Sequence, residues 1–238
     1  MTSWHTRPMA ALDLETTGLN VEHDRIVSAA LWRITPQTGT KHLGEWLADP
    51  GIDIPAQATA VHGITTHQAR AQGRPAMEVL TDLAMQIRDA VDEGEPLVVY
   101  NAPYDLTLLD RELERHGLGL DCAGQLRVLD PMVLDLHMDP ERVGSRSLGR
   151  VCAHYGIDLP ADQAHAAAAD ALAAARLAWC LGRTYPTLAQ MDLDELHAAQ
   201  VRWKVPQATA LQARLRRTKD PAAVVSTSWP LRQMRIAA

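Results

Sequence analysis

The chain has 238 residues, no phenylalanine, six tryptophans and a net charge of -6. That length buries one full core and leaves room for an appendage; the 47% hydrophobic and 22% charged residues exclude a disordered or low-complexity chain. No apolar run approaches the roughly 20 residues of a membrane helix. The polar start Met1-Thr2-Ser3-Trp4-His5-Thr6-Arg7-Pro8 has no signal-peptide core, so a cytoplasmic protein without a membrane partner is expected.

Met9 to Leu14 reads as a first strand, Arg25 to Ile34 as a second and Lys41 to Leu47 as a third. Pro36 and Gly39 supply turn chemistry between the last two. Asp49 to Pro55 reads as a loop. Met77, Leu80, Leu83, Ala84, Ile87 and Val91 recur at helical spacing behind Pro75. Leu97 to Tyr100 is a buried strand by length and β-branching. Leu106 to His116 is helical and stops at Gly117. A further strand is expected within Arg127 to Leu136. Ser147 or Ser145 caps a short helix ending at Tyr155, and Ala166 to Leu181 is an alanine-rich helix. Asp192 to Arg217 is helical, with Pro206 expected to kink or split it. This order implies an α/β sandwich, its five-stranded mixed sheet antiparallel at the start and parallel afterwards.

Charge is unevenly spread. Residues 201–238 carry Arg202, Lys204, Arg214, Arg216, Arg217, Lys219, Arg232 and Arg235 against the single acid Asp220, which leaves the first 200 residues strongly acidic. An acidic body suits a cation-binding cleft. The basic tail, with Trp203 and Trp229, could bind phosphates and stack bases, or it could pack on that body. Cys122, Cys152 and Cys180 are odd in number and dispersed, which argues against a disulfide framework and a zinc site.

Four acids and one histidine stand out. Asp13 and Glu15 lie two apart on a strand, so both side chains leave the same face. Asp105 lies at the start of a helix behind a buried strand, where it could simply complement the helix dipole. Asn101 ends that strand and could orient a ligand or cap the helix. His165 and Asp170 would point about 140° apart inside one helix. They converge only if His165 precedes the helix, a placement that suits a general base near neutral pH.

Taken together, Leu12-Asp13-Leu14-Glu15-Thr16-Thr17-Gly18-Leu19, Asn101-Ala102-Pro103-Tyr104-Asp105 and His165-Ala166-Ala167-Ala168-Ala169-Asp170 resemble the three motifs of the DEDDh 3′–5′ exonucleases of the ribonuclease H-like superfamily. Tyr104 stands where phenylalanine is commoner. Ala166 excludes the sibling class with a catalytic tyrosine there. Val61-His62-Gly63-Ile64-Thr65 resembles a family loop that meets the terminal nucleotide. The resemblance covers residues 8–182. It implies a ribonuclease H-like three-layer sandwich in residues 1–184, followed by a helical, basic extension over 185–238. It implies two Mg²⁺ or Mn²⁺ ions held by Asp13, Glu15, Asp105 and Asp170, with His165 as base. Thr16, Leu19, His62 and Asn101 would position the 3′-terminal nucleotide. The implied substrate is a DNA 3′ end, with a DNA polymerase as candidate partner. The alternatives are RNA trimming and an inactive replisome module.

Overall fold

The computed structural model describes residues 3–36, 38–160 and 165–232. A short 3-10 turn (Trp4–Thr6) leads into β1 (Met9–Thr16), in which every position except Asp13 is buried. β2 (Ile26–Thr35) runs antiparallel to β1, and β3 (Gly39–Asp49) antiparallel to β2. Gly39, at φ +111°, occupies a conformation that side-chain-bearing residues avoid. On the other flank of β1, β5 (Leu97–Val98) pairs parallel to it, and β6 (Val128–Leu129) pairs parallel to β5. The expected antiparallel start and parallel remainder are both present. The sheet has six strands instead of five, in the order β4-β3-β2-β1-β5-β6, because the two-residue β4 (Arg74–Pro75) adds an edge beside β3.

Helices cover both faces. On one, α3 (Ala76–Asp92) and α4 (Ala102–Arg115) bring Leu80, Leu83, Ile87, Leu108 and Leu109 against Leu12, Leu14, Leu31 and Leu97. On the other, α6 (Leu148–His154) and α7 (Ala167–Thr184) pack with Met9, Ala11, Val98 and Leu129. Even positions of β1 thus serve the first core and odd positions the second, the period-2 alternation of a strand buried on both sides.

Four features differ from or go beyond the sequence reading. Residues 127–136 are only briefly a strand: β6 ends at Leu129, Asp130 accepts a capping bond from the Met132 amide, and α5 (Pro131–Met138) follows. Asp then Pro is a helix start, which the apolar run on either side obscured. The segment after Pro55 forms α1 (Ala56–His62), closed by left-handed Gly63, and α2 (Thr66–Gln72), capped by Thr65. Ser147 is the N-cap residue of α6, yet its side chain makes no capping bond. Finally, α9 (Leu193–Thr218) runs unbroken through Pro206. Arg202, whose carbonyl loses its partner to the proline ring, is exposed, and so is Pro206, so water can take the freed acceptor.

The extension packs on the body through α8 (Pro186–Ala189) and α9: Leu188 and Leu196 join the second core. Trp203 stacks on His137 with centroids 3.8 Å apart. Trp229 is buried, and its indole N–H reaches Asp130 Oδ2 at 3.3 Å. Both tryptophans are therefore anchors. Arg235 of the basic tail lies outside the described residues. The three cysteines are free thiols. Among the described residues, no helix is long and apolar enough to cross a membrane.

Candidate active site

β5 pairs with β1 only at Ala10 and Ala11. Beyond that point β1 has no parallel neighbour, and the carboxyl end of a strand beside such a switch in sheet direction is where a cleft is expected. Asp13 and Glu15 continue the odd-numbered file of Met9 and Ala11 into this cleft, toward α7. A register shift between Glu15 and Thr16 then bends the strand away, as a β-bulge does.

Asp170 comes from the first turn of α7. That helix lies across β1 and β2, and its buried face is largely alanine: Ala171, Ala174, Ala175 and Ala178. Small side chains allow close approach, and oxygens of Asp13, Glu15 and Asp170 lie within 4.8 Å of one another. Asp105, in the first turn of α4 and 5% exposed, stands outside that mutual set. It is still the strongest charged influence on Asp13.

Burial pushes all four carboxyls up, and neighbouring carboxylates add to it at Asp13, Glu15 and Asp105. Asp13 rises well above the usual range through burial, then through Asp105, Glu15 and Asp170. Glu15 is pushed up to about 8 by burial and by Asp170 and Asp105. Asp105 also reaches about 8 through burial, opposed by its own amide and that of Leu14. Asp170 is raised by burial, opposed by His165. These groups resist ionisation together unless a cation joins them. Asp170 Oδ1 is buried without a hydrogen-bond partner, a lone-pair acceptor with nothing to receive. An all-oxygen donor set with such an orphan fits a hard divalent cation better than it fits zinc.

His165 precedes α7, as the angular argument requires. It is exposed, with φ +65°, and its backbone N–H donates to Asp170 Oδ2 at 3.2 Å. The base candidate is thereby tied to the acid candidate through the main chain. His62, at the end of α1, faces both the Thr16 backbone and His165. Its Nδ1 accepts from the Ile64 amide at 3.1 Å, which leaves the ring proton on Nε2, and burial lowers its pKa. Leu19 is 84% exposed at the cleft. Asn101 is left-handed (φ +58°, ψ +46°) and its side chain makes no capping bond, so it remains available to a ligand. Thr16 Oγ1 donates to the Gly18 carbonyl at 2.9 Å and lies 2.5 Å from the Tyr104 hydroxyl.

Two further residues shape the site and were not singled out from sequence. The Tyr104 hydroxyl, which the commoner phenylalanine would lack, also lies 2.6 Å from the Gly18 carbonyl and so pins the turn after Glu15. Asp130 is fully buried and accepts from the Asn101, Ala102 and Met132 amides and from Trp229. Lys204 favours its charged form. The Asp-Pro helix start was the sequence signal for Asp130.

The Exonuclease family model (RNase_T) matches residues 10–178. The chain belongs to that exonuclease family. All three DEDDh motifs fall within the matched span. The chain is 35% identical over 167 residues to a DNA polymerase III subunit epsilon-like protein of Rhodobacter capsulatus, covering 68% of this chain and 22% of that protein. It is 26% identical to DNA polymerase III subunit epsilon of Pasteurella multocida, covering 89% of this chain and 82% of that one. Escherichia coli exonuclease I, solved in complex with a dT13 oligonucleotide, superposes with a TM-score of 0.63 at 19% identity, over 76% of this chain and 42% of that chain. The exonuclease domain therefore has the expected ribonuclease H-like fold, and the chain spans only about a fifth of the length of the Rhodobacter relative.

Proposed function

We propose that the chain is a divalent-cation-dependent 3′–5′ exonuclease that removes nucleoside 5′-monophosphates from DNA 3′ ends. The observation that carries this reading is the set of three carboxylates within 4.8 Å, with an unpartnered buried oxygen on Asp170 and His165 tethered beside it. Asp13, Glu15 and Asp170 would hold one Mg²⁺ or Mn²⁺. Asp13 and Asp105 would hold a second, Asp105 directly or through water. Bound cations supply charge neutralisation for the phosphate and acidify the attacking water.

The chain's own groups do the remaining work. A ring nitrogen of His165 takes the proton of the attacking water; the water oxygen joins phosphorus as the P–O3′ bond breaks, and the departing 3′ oxygen gains a proton from solvent. Leu19 offers an apolar surface to the terminal base, Asn101 and Thr16 offer polar groups to the terminal nucleotide, and His62, its Nε2 buried, supports that pocket from behind Thr16. In this reading residues 1–184 are the catalytic unit and 185–238 a docked extension. The epsilon-type relatives support a polymerase partner, and the dT13 complex of exonuclease I supports a single-stranded substrate.

The test gives purified protein with Mg²⁺ matched DNA and RNA oligonucleotides labelled at either end. A 5′ label should yield a ladder shortening from the 3′ side, and a 3′ label should appear at once as mononucleotide. Faster decay of RNA would turn the reading to RNA trimming. No cleavage and no Mn²⁺-induced thermal shift would mark an inactive interaction module.

A further inference from the structure

Beyond α9 the chain returns to the body and ends its described course against α4, near Tyr104 and Asp105. Trp229 is the buried latch, bonded to Asp130. The Arg232 amide donates to Thr107 Oγ1 at 2.8 Å, which seats the residue against α4 two positions past Asp105. Its guanidinium lies over the Tyr104 ring, 5.8 Å from the centroid. Arg232 is half-buried and makes no ion pair within 4.0 Å and no side-chain hydrogen bond among the described residues. Among the described residues no acceptor takes the five guanidinium donors, a planar fork shaped for phosphate or carboxylate. Lys204, the neighbouring cation, faces Asp130.

We propose that Arg232 binds a backbone phosphate of the nucleic-acid strand, one other than the phosphate being cut. This rests on the exonuclease reading. A polyanion approaching Asp13, Glu15, Asp105 and Asp170 meets like charge wherever bound cations leave these acids unneutralised, and a further cation beside Asp105 offsets that. Stacking on Tyr104 and the Trp229 latch hold the fork in place before the strand arrives, so little side-chain entropy is lost on binding. The field of Arg232 reaches Asp105 and Tyr104, the outer wall of the cleft, whereas the three-carboxylate group lies further in, on β1 and α7. The residue lies outside the span of the family match, in the extension that follows it.

The experiment compares the full-length protein with Arg232→Gln and Arg232→Lys on a single-stranded oligonucleotide and on the 4-nitrophenyl ester of thymidine 5′-monophosphate, which carries one phosphate only. For Arg232→Gln the ratio of kcat/KM on the oligonucleotide to that on the ester should fall roughly 10- to 100-fold, with partial recovery in Arg232→Lys. In EDTA, where nothing is cleaved, oligonucleotide binding followed by fluorescence anisotropy should lose about 0.7 from its log–log salt slope. Equal losses on both substrates would overturn the phosphate contact and make Arg232 a positioning residue acting through Tyr104. An unchanged salt slope would overturn it whatever the activity. A wild-type protein that cleaves neither substrate yet shows the Arg232-dependent slope would remove the exonuclease reading and keep the phosphate contact.

Discussion

Replacing Asp13 by asparagine should make the metal-free protein more stable and remove its response to metal. The oxygens of Asp13, Glu15 and Asp170 lie within 4.8 Å of one another. At that separation and an effective dielectric constant near 20, each ionised pair costs about 3.5 kcal/mol, and three pairs cost roughly 10. A typical domain is stable by only about 5–15 kcal/mol, so the three cannot all ionise without a counter-ion, consistent with Glu15 titrating at about 8. Partial protonation already relieves most of the repulsion, which leaves about 2 kcal/mol for the substitution to recover. For a chain of this size that is a rise in Tm of roughly 4–8 °C in EDTA. Wild type in Mn²⁺ at a hundred times its Kd gains about 2.7 kcal/mol, and Asp13→Asn should gain almost none. Scanning calorimetry in EDTA and in Mn²⁺ reads both effects. A lower Tm for the variant in EDTA, or an undiminished Mn²⁺ shift, would refute the shared-cation reasoning.

Three further outcomes are expected. Glu15 and Asp105 have folded-state pKa values near 8 against about 4.5 and 3.8 unfolded. The folded state therefore binds more protons between those values, and the stabilisation, complete below about pH 4, is lost as pH rises through about 8. Urea melts in EDTA at pH 5, 6.5 and 8 should show falling stability, and saturating Mn²⁺ should oppose that trend, since the metal displaces protons. His165→Ala should lower kcat on the order of 10²–10⁴-fold while the Mn²⁺ thermal shift survives; loss of the shift would make His165 a ligand. Tyr104→Phe should cost about 1 kcal/mol of stability, because the hydroxyl spans Thr16 and Gly18; an unchanged denaturation midpoint would show that the turn is held without it.

The acidic centre was legible because its geometry follows from short-range periodicity. A period of two places Asp13 and Glu15 on one face, and the 100° step of a helix forces His165 outside α7. Asp130, Tyr104 and Arg232 were not legible as site residues, because their roles depend on partners 86 to 125 positions away along the chain. Helices α1 and α2 escaped notice for another reason. Each is only seven residues long, and Ala69 is the single buried position the two contain, so no apolar stripe announced them. In α5 the run Val133-Leu134 sits close behind Val128-Leu129, and apolar runs that short do not distinguish strand from helix.

The alanine face of α7 sets a mechanical tolerance for the whole centre. Ala171, Ala174, Ala175 and Ala178 on the buried face of that helix each end at a single methyl group, and Asp170 rides on the same rigid rod. Chemistry that depends on the bite between Asp170 and the β1 acids is thus gauged by residues that never touch substrate, and a single added methylene in that layer would be transmitted to the ligand oxygens as a displacement.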